Sequence, residues 1–369
     1  MKKYKLGDIC EIVSGSTPKT NIAEFWDGDV KWITPAELDE NTYIITDSVR
    51  KITNLAMQKT GLTAFPAGTV ILSSRAPIGK VAIAGCKMCC NQGFKNFICS
   101  EIVNNKYLYW FLKHNTAYLN SLGRGATFKE ISKSIVSSIE INLPSLEEQQ
   151  RVVDNIEKIS TIITLRKKEI SILDDLIKAR FVEMFGDEKW GFKPLSECVD
   201  SIDTGKSMNC GEGPRGVGGF GVLKLSALSS GTFVASENKV ISKDNFMSIK
   251  EVEKGDLLFA RKNTPELVGT TVYVPNEVRG LMFPDLVFRM KPKDVNALYL
   301  LAYMRSDRGL DLIQGMAHGS AKSMVNIPKT QLARLPVPVP PLELQQEFAD
   351  FVAQVDKSKF KLGTCGGML

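Results

Sequence analysis

The sequence predicts an α+β protein built from two similar domains that a long helix joins. Residues 143–151 return in similar form as residues 339–347, 196 positions later, and both copies contain a Gln-Gln pair. A stretch of similar length precedes each copy and combines short β-rich runs with one amphipathic helix. Residues 145–184 contain no Gly or Pro. A two-copy repeat this long indicates a duplicated domain, because solenoid repeats have far shorter periods.

Composition is that of an ordinary globular protein. The 369 residues predict two to three domains, and the hydrophobic fraction of 43% lets each repeat bury its own core. No run of 18 apolar residues occurs and the N-terminus leads into no signal region, so we expect neither a membrane-spanning nor a secreted protein. The eight cysteines are expected to be reduced thiols of a cytoplasmic protein.

Charge is distributed in step with the repeat. The formal charge is +5 in residues 1–144, −3 in residues 145–188, +5 in residues 189–339 and −1 in residues 340–369. Two basic domains on mildly acidic connectors suit a protein that faces a polyanion. Many soluble domains are equally basic without binding nucleic acid, so charge alone leaves both interpretations open.

The elements of each domain follow from apolar patterning between Gly and Pro residues. In the first domain, residues 1–144, we predict strands at 70–73 and 81–84 and a helix at 105–115. In the second domain, residues 188–338, we predict strands at 222–225, 256–259 and 271–274 and a helix at 296–305. The copies echo each other in sequence: residues 68–75 parallel 255–261, residues 107–112 parallel 299–304, and residues 125–127 parallel 319–321.

The central segment, residues 145–187, is predicted to be one continuous helix. Ser145 is a suitable N-cap, Glu147 and Glu148 favour the first turn, and Gly186 is a plausible stop. About 39 residues at about 1.5 Å each give a rod of roughly 58 Å. A second, shorter helical region covers residues 339–362, and residues 363–369 form a Gly-rich, flexible tail.

A heptad pattern predicts that these two helices form an antiparallel coiled coil. Such a pair would act as a spacer between the domains, whereas the simpler interpretation is a helical linker without special meaning. The predicted seam consists of Ile156, Ile163, Ile170, Leu173, Ile177 and Met184 on the first helix and Phe348, Val352 and Val355 on the second.

Two pairs of loops carry the candidate DNA contacts. Residues 73–80 and 260–269 place arginine beside hydroxyl and amide groups, which suit base edges and phosphates. Residues 123–129 and 315–322 are rich in small residues, which let a backbone approach phosphate. For any one basic residue the alternative is a solvated surface role. The candidates are Arg75, Lys80, Gln92, Lys95, Arg124, Lys129, Arg261, Lys262, Asn263, His318 and Lys322.

Sequence motifs for catalysis, cofactors and metals are unconvincing. Residues 211–216 spell GxGxxG, but they follow no strand and open no helix. Cys86, Cys89 and Cys90 have no finger or ribbon spacing and no counterpart in the second repeat. His114 and His318 lie in different repeats, which disfavours a catalytic triad. We therefore predict a binding protein without a catalytic site, a metal site or a cofactor of its own.

The chain resembles the specificity subunits of type I restriction-modification systems over nearly its whole length. The resemblance rests on the repeated element at 143–150 and 337–346, on residues 179–187, and on the domain openings at 6–15 and 195–205. It implies two target recognition domains, each reading one half of a bipartite double-stranded DNA site, in a pseudo-two-fold arrangement. It also implies helices that space the domains and dock modification subunits, and through them restriction subunits. S-adenosylmethionine, ATP and Mg would then be bound by partner subunits, and this chain would be non-catalytic.

Two other readings stay open at this stage. One is a self-contained enzyme, a DNA methyltransferase or nuclease, and the other is a purely structural tether. The second helical region is shorter than the resemblance implies. That departure raises the alternative of a truncated specificity subunit, inactive or dimerising through its shortened distal helix.

Overall fold

The computed structural model describes residues 2–39, 42–75, 77–125, 129–186, 190–319 and 324–364. Two compact units are present, residues 1–162 and residues 163–369, and the boundary between them falls inside the predicted central helix. Each unit contains its own sheets and its own hydrophobic core. This agrees with the expectation that each repeat folds around a core of its own.

The first domain is a mixed α+β structure. One sheet has the strand order β2-β9-β6-β7-β4, a smaller one has the order β5-β3-β8, and β1 pairs antiparallel with β10. The strands are β1 (Lys2–Lys5), β2 (Cys10–Ser14), β3 (Trp26–Ile33), β4 (Ile44–Ile45), β5 (Arg50–Ile52), β6 (Val70–Ser73), β7 (Val81–Ala84), β8 (Cys89–Cys90), β9 (Phe94–Cys99) and β10 (Glu140–Leu143). The helices are α1 (Leu6–Ile9), α2 (Asn54–Thr60), α3 (Asn105–His114), α4 (Thr116–Leu122) and α5 (Lys133–Ser137).

The second domain follows the connecting helix α6 (Leu146–Phe185) and repeats this order. Its sheets run β12-β19-β15-β17 and β14-β13-β18, and β11 pairs antiparallel with β21. The strands are β11 (Phe192–Pro194), β12 (Val199–Thr204), β13 (Phe220–Leu223), β14 (Asn238–Ile241), β15 (Leu257–Ala260), β16 (Lys262–Asn263), β17 (Thr271–Tyr273), β18 (Leu281–Met282), β19 (Val287–Pro292), β20 (Val325–Asn326) and β21 (Pro336–Pro338). The helices are α7 (Leu195–Cys198), α8 (Ser226–Ser229), α9 (Ala297–Arg305), α10 (Asp307–Gly315), α11 (Lys329–Leu332) and α12 (Leu342–Thr364).

Equivalent strands make equivalent pairings in the two domains. The small sheets each contain one parallel pair, β3 with β8 and β13 with β18. At the ends of β2 and β12, Gly15 and Gly205 approach carbonyl oxygens so closely that a Cβ atom would lie 2.1 Å from the nearest one. Only glycine fits such an approach. The duplicated fold inferred from the sequence is therefore confirmed at the level of strand order.

Helix α6 is continuous over 40 residues, as predicted. Ser145 and Glu148 form a reciprocal cap, in which the Ser145 amide donates to Glu148 Oε2 at 3.2 Å and the Glu148 amide donates to Ser145 Oγ at 3.3 Å. The Gly186 amide donates to the Val182 carbonyl at 2.8 Å and ends the helix. At about 1.5 Å per residue, α6 is about 60 Å long.

Within the second unit, the last third of α6 packs antiparallel against α12. Lys359 Nζ lies 2.6 Å from Asp174 Oδ1, and Arg180 Nη2 lies 2.8 Å from Glu347 Oε1. Later residues of α6 thus meet earlier residues of α12, which defines the antiparallel sense. Of the predicted seam residues, Phe348, Val352 and Val355 are buried, Ile177 and Met184 pack against the core, and Ile156, Ile170 and Leu173 are half-buried.

The predicted seam needs two corrections. Ile163 is 42% exposed and so lies outside any buried seam. Phe181 and Phe185, which the heptad pattern left out, lie with their ring centroids 5.6 and 5.7 Å from that of Phe348 and 5.8 and 4.8 Å from that of Tyr299. Because this end of α6 covers the domain core as well as α12, its apolar face is wider than a two-helix seam.

Asp256 is a buried carboxyl in the second domain, and its environment predicts a stability that depends on pH. It is 2% exposed, and burial raises its pKa from 3.8 to about 6 even though Arg289 and Lys291 are near. Since the folded state holds this proton more tightly than the unfolded state, the free energy of unfolding falls as pH rises from about 4 to about 6. Asp256→Asn should therefore stabilise the protein by about 1–3 kcal/mol at pH 7, and by less than about 1 kcal/mol near pH 4.

Urea unfolding from pH 4 to pH 8 measures this effect. The first domain has Thr69 at the equivalent turn, so the turn itself requires no carboxylate. Glu253→Gln is the control, because this exposed side chain pairs with Lys291 at 2.8 Å and has a lowered pKa. An Asp256→Asn protein no more stable than the parent at pH 7 would contradict the assignment.

Candidate nucleic-acid interface

The two loops of the first domain that were singled out in the sequence lie side by side. Glu130 bridges to Arg75 on one side and to Arg124 on the other, both in antiparallel sense. The Arg124 amide donates to the Glu130 carbonyl at 3.0 Å, and the Glu130 amide donates back to the Arg124 carbonyl at 2.9 Å. Residues directly opposite each other in such ladders point to the same face. Arg75, Glu130 and Arg124 therefore form a row, with basic residues at its two outer positions.

The second domain repeats this row with different residues. Asn326 pairs with Lys262 in the β16–β20 ladder, and it bridges to His318 on its other side. The amides and carbonyls of His318 and Asn326 exchange two hydrogen bonds of 2.9 Å each. The outer positions are here Lys262 and His318 in place of two arginines, and both side chains are exposed. Two domains with little sequence identity in these loops thus present the same backbone arrangement and similar side-chain chemistry.

Backbone hydrogen bonds correct the alignment of the two arginines. The Ser74 amide donates to the Gly93 carbonyl at 2.7 Å, and the Arg261 amide donates to the Leu286 carbonyl at 3.0 Å. The Ile131 and Ile327 amides likewise donate to the Ser74 and Arg261 carbonyls. Arg261 is therefore equivalent to Ser74, and Lys262 is equivalent to Arg75. The sequence comparison paired Arg75 with Arg261 because it matched residue types and could not detect the one-residue shift.

Two further candidates of the first domain are used inside the protein. The Lys95 side chain is only 7% exposed, with Nζ 3.5 Å from Glu130 Oε1 and 3.3 Å from Ser74 Oγ. Lys80 Nζ donates to the carbonyls of Pro35 and Leu38. Neither ammonium group is presented to a ligand in this arrangement, which the sequence did not indicate.

The remaining candidates differ in accessibility. Gln92 and Lys129 are exposed, and Gln92 accepts a hydrogen bond from Thr17. Asn263 is buried, and its Oδ1 accepts from the Thr264 amide at 2.9 Å. Lys322 lies outside the described residues. The DNA contacts proposed for exposed members of the set stay predictions.

The repeated Gln-Gln pair fastens each domain to the helix that follows it. Gln149 is fully buried: its Oε1 accepts from the Asn104 amide at 2.8 Å, and its Nε2 donates to the Pro144 and Ile102 carbonyls at 3.0 Å. Gln345 accepts from the Asn296 amide at 2.8 Å and donates to the Pro340 carbonyl at 2.8 Å. Since Asn104 and Asn296 cap α3 and α9, each pair ties a domain helix to α6 or α12.

The sequence matches a family model in two copies, as the duplicated rows and the duplicated glutamine pairs lead one to expect. The model describes the type I restriction modification DNA specificity domain, and it matches residues 1–173 and 187–364. The chain belongs to this family. Each of the two specificity domains includes one row and one helical connector.

Curated relatives carry the same family name. The type I restriction enzyme MjaIX specificity subunit of Methanocaldococcus jannaschii is 41% identical over 186 residues, which are 50% of this chain and 43% of that protein. The EcoR124I/EcoR124II specificity subunit of Escherichia coli is 27% identical over 47% of this chain and 46% of that protein. The match thus spans less than half the length of these relatives. The MjaVIII specificity subunit of M. jannaschii is 20% identical over 95% of this chain.

Solved structures of specificity subunits share the fold. The type I restriction-modification S subunit of M. genitalium superposes with a TM-score of 0.53 and 14% identity, covering 98% of this chain and 91% of its own. A chain from a study of complex assembly and conformational transition in a type I R-M system gives 0.54 and 19%, covering 99% and 91%. These similarities establish the architecture of the specificity domains.

The described residues lack two further kinds of functional element. No helix among them is both long enough and apolar enough to cross a membrane. Within the same residues, no group of three or more His, Cys, Asp and Glu side chains has a metal-binding arrangement. The central members of the rows, Glu130 and Asn326, were not among the candidates taken from the sequence. An acidic or amide residue among basic ones is not recognisable as a candidate in the sequence, because its central position in the row becomes apparent only when the three segments of the row are placed together.

Proposed function

We propose that the chain is a specificity subunit that binds double-stranded DNA in a sequence-specific manner, each domain reading one half of a bipartite site. The observation that carries the proposal is the recurrence of the row at one place in both specificity domains. Basic residues at its outer positions suit phosphates and base edges. Duplicated reading surfaces on one chain also suit a target of two half-sites.

The chemistry of a restriction or modification reaction is assigned to partner subunits, with S-adenosylmethionine, ATP and Mg bound there. This chain is accordingly proposed to act in the cytoplasm as a non-catalytic recognition subunit. The middle of α6 supports a docking role for modification subunits, since Ile162 and Leu165 are each more than half exposed. A helix with exposed apolar residues suits packing against another protein.

Replacing Arg75 with alanine tests the reading surface. Because its guanidinium is exposed at an outer position of the row, we expect a loss of about 1–3 kcal/mol in binding a specific duplex, confined to one base position. Lys129→Ala should weaken binding to all duplexes alike and lower the slope of log affinity against log salt by about 1. Fluorescence anisotropy with labelled duplexes at several salt concentrations measures both.

Lys3→Ala is the matched control, because it removes the same charge from β1, outside the two loops, where Lys3 pairs with Glu140 at 2.6 Å. If Lys3→Ala and Arg75→Ala weaken binding equally, only overall charge matters and the loop is not a reading surface. If the parent chain binds no duplex at low salt, the proposed function is wrong. Labelled S-adenosylmethionine retained by the isolated chain would instead favour a self-contained methyltransferase.

A further inference from the structure

The central residue of each row holds an arginine through the same guanidinium atom. In the first domain, Arg75 Nε donates to Glu130 Oε2 at 2.8 Å. In the second domain, Arg261 Nε donates to Asn326 Oδ1 at 3.2 Å. Glu130 and Asn326 occupy equivalent positions, as their paired backbone hydrogen bonds to Arg124 and His318 show. When the two domains are aligned, Arg261 lies one residue before the position of Arg75. The central residue of each row nevertheless binds the Nε atom of its arginine.

Binding through Nε leaves the reading end of arginine available. A guanidinium has five N–H donors in a planar fork, and the four on its two Nη atoms make the bidentate contacts with guanine or phosphate. Among the described residues, the side-chain hydrogen bonds of Arg75 and Arg261 are made through Nε and not through the Nη atoms. Holding Nε also restricts the rotamers of a long side chain, so less conformational entropy is lost when a ligand is bound.

The surroundings of the two arginines differ, so a contact that both arginines make can be recognised by comparison. Glu130 is charged and also lies 3.5 Å from the Lys95 ammonium, whereas Asn326 is neutral. The guanidinium of Arg261 lies 5.1 Å from the Phe288 ring centroid, a second restraint that Arg75 does not share among the described contacts. The feature common to both is an oxygen acceptor at the centre of the row. A negative charge on the central residue is therefore not required to bind the arginine through Nε.

We propose that Glu130 and Asn326 are positioning residues for specificity, which orient Arg75 and Arg261 so that each arginine presents its Nη fork to one base of its half-site. The proposal rests on the proposed function, because it presupposes that the chain reads DNA. It assigns base discrimination to an arginine and its acceptor acting as a unit. It predicts that the acceptor influences which base is chosen more than how tightly duplex DNA is bound.

Selection from a duplex library tests the proposal with the full chain. The chain is incubated with duplexes randomised over both half-sites and spacer, and bound duplexes are sequenced. Glu130→Ala should lower the preference at a single base position about 5- to 100-fold, at the same position as Arg75→Ala. Glu130→Gln keeps an oxygen acceptor and should retain the preference. Affinity for a random-sequence duplex should change less than twofold in both Glu130 variants.

The double variant and the second domain make the test decisive. Glu130→Ala with Arg75→Ala should lose no more preference than Arg75→Ala alone, since a positioning residue acts only through its arginine. Glu130→Ala leaves the buried Lys95 ammonium without its carboxylate, which lowers the stability of the fold. Asn326→Ala leaves no buried charge without a partner, so it repeats the test in the other half-site. It should alter the same position as Arg261→Ala.

The possible results separate the two proposals. A parent chain that retains no duplex from the library contradicts the proposed function and, with it, the positioning role. A parent chain that selects a bipartite site, together with Glu130→Ala and Asn326→Ala variants that select the same site with unchanged preference, refutes the positioning role alone. Equal loss at all positions would likewise refute it, because a phosphate contact or a structural defect would then explain the effect.

Discussion

Replacing Gln149 with alanine is expected to lower the free energy of unfolding of the first unit by about 2–4 kcal/mol. The fully buried Gln149 amide is bonded at both ends, and truncation would leave the Asn104 amide and the Pro144 and Ile102 carbonyls without these partners. A buried polar group that loses its partner costs about 1–3 kcal/mol. Gln345→Ala should act in the same way on the second unit.

Urea unfolding monitored by tryptophan fluorescence measures the free energy of unfolding of the first unit. Of the four tryptophans, Trp26, Trp32 and Trp110 lie in the first unit, so their signal reports mainly on it. Gln150→Ala is the matched control, because Gln150 is exposed and its bonds to Asn104 Nδ2 and Asp154 are accessible to water. Equal midpoints for the two variants would show that Gln149 is not the link between the domain and the helix.

The glutamine pair shows what a sequence repeat reveals and what it leaves hidden. The repeat at residues 143–151 and 339–347 coincides with the starts of the two connecting helices, since α6 and α12 begin inside it. Its physical role depends on Asn104 and Asn296, which lie more than 40 residues earlier in the chain. Spacing within the motif contains no information on such a partner. The role therefore emerged only with the tertiary structure.

The strands and helices were easier to predict than the interface. Strands β6 and β7 coincide with the predicted residues 70–73 and 81–84, because each is a short apolar run between turn residues. The interface depends instead on which side chains of a loop turn inward. Lys95 lies on a strand, and its residue type alone does not show that its side chain is buried. Its ammonium pairs with Glu130, which lies 35 residues later in the sequence. Sequence separation concealed that partner.

The heptad pattern of α6 identifies only part of the face that meets α12 and the domain core. Ile177 and Met184 pack against the core as expected, but Phe181 and Phe185 contribute more aromatic contacts, because the Tyr299 side chain of α9 also faces this end. In the middle of the helix, residues 161–169 are exposed on every side. A seven-residue repeat there indicates apolar residues at regular intervals without indicating what covers them.

Lengthening α6 by one turn should change the DNA spacer that the protein accepts. We expect four helix-forming residues inserted between Leu165 and Arg166 to add about 6 Å to the helix. DNA rises by about 3.4 Å per base pair, so the spacer between half-sites should lengthen by one or two pairs. Loss of even one correctly placed base contact costs about 1–3 kcal/mol, so methylation of the original site should fall at least about fivefold.

The insertion point spares the contacts on either side of it. Asp174 and Arg180 retain their partners on α12, and Glu157 retains Lys106 at 3.0 Å. Four residues turn the helix by about 40° beyond one full turn, whereas a two-residue insertion turns it by about 200° and should abolish recognition of any bipartite site. Four residues inserted after the exposed Gly216, in a loop, lengthen the chain equally and should leave the spacer unchanged.

Methylated positions in DNA from cells that carry each variant and its modification partner provide the measurement. If α6 sets the spacing, the four-residue variant methylates a site with a longer spacer, and each half-site keeps its own sequence. Unchanged half-sites with the original spacing would mean that partner subunits place the two domains, and that α6 only connects them. Altered half-site sequences would show that the insertion had disturbed the domains themselves, and the Gly216 variant would then reveal whether any insertion of this length does so.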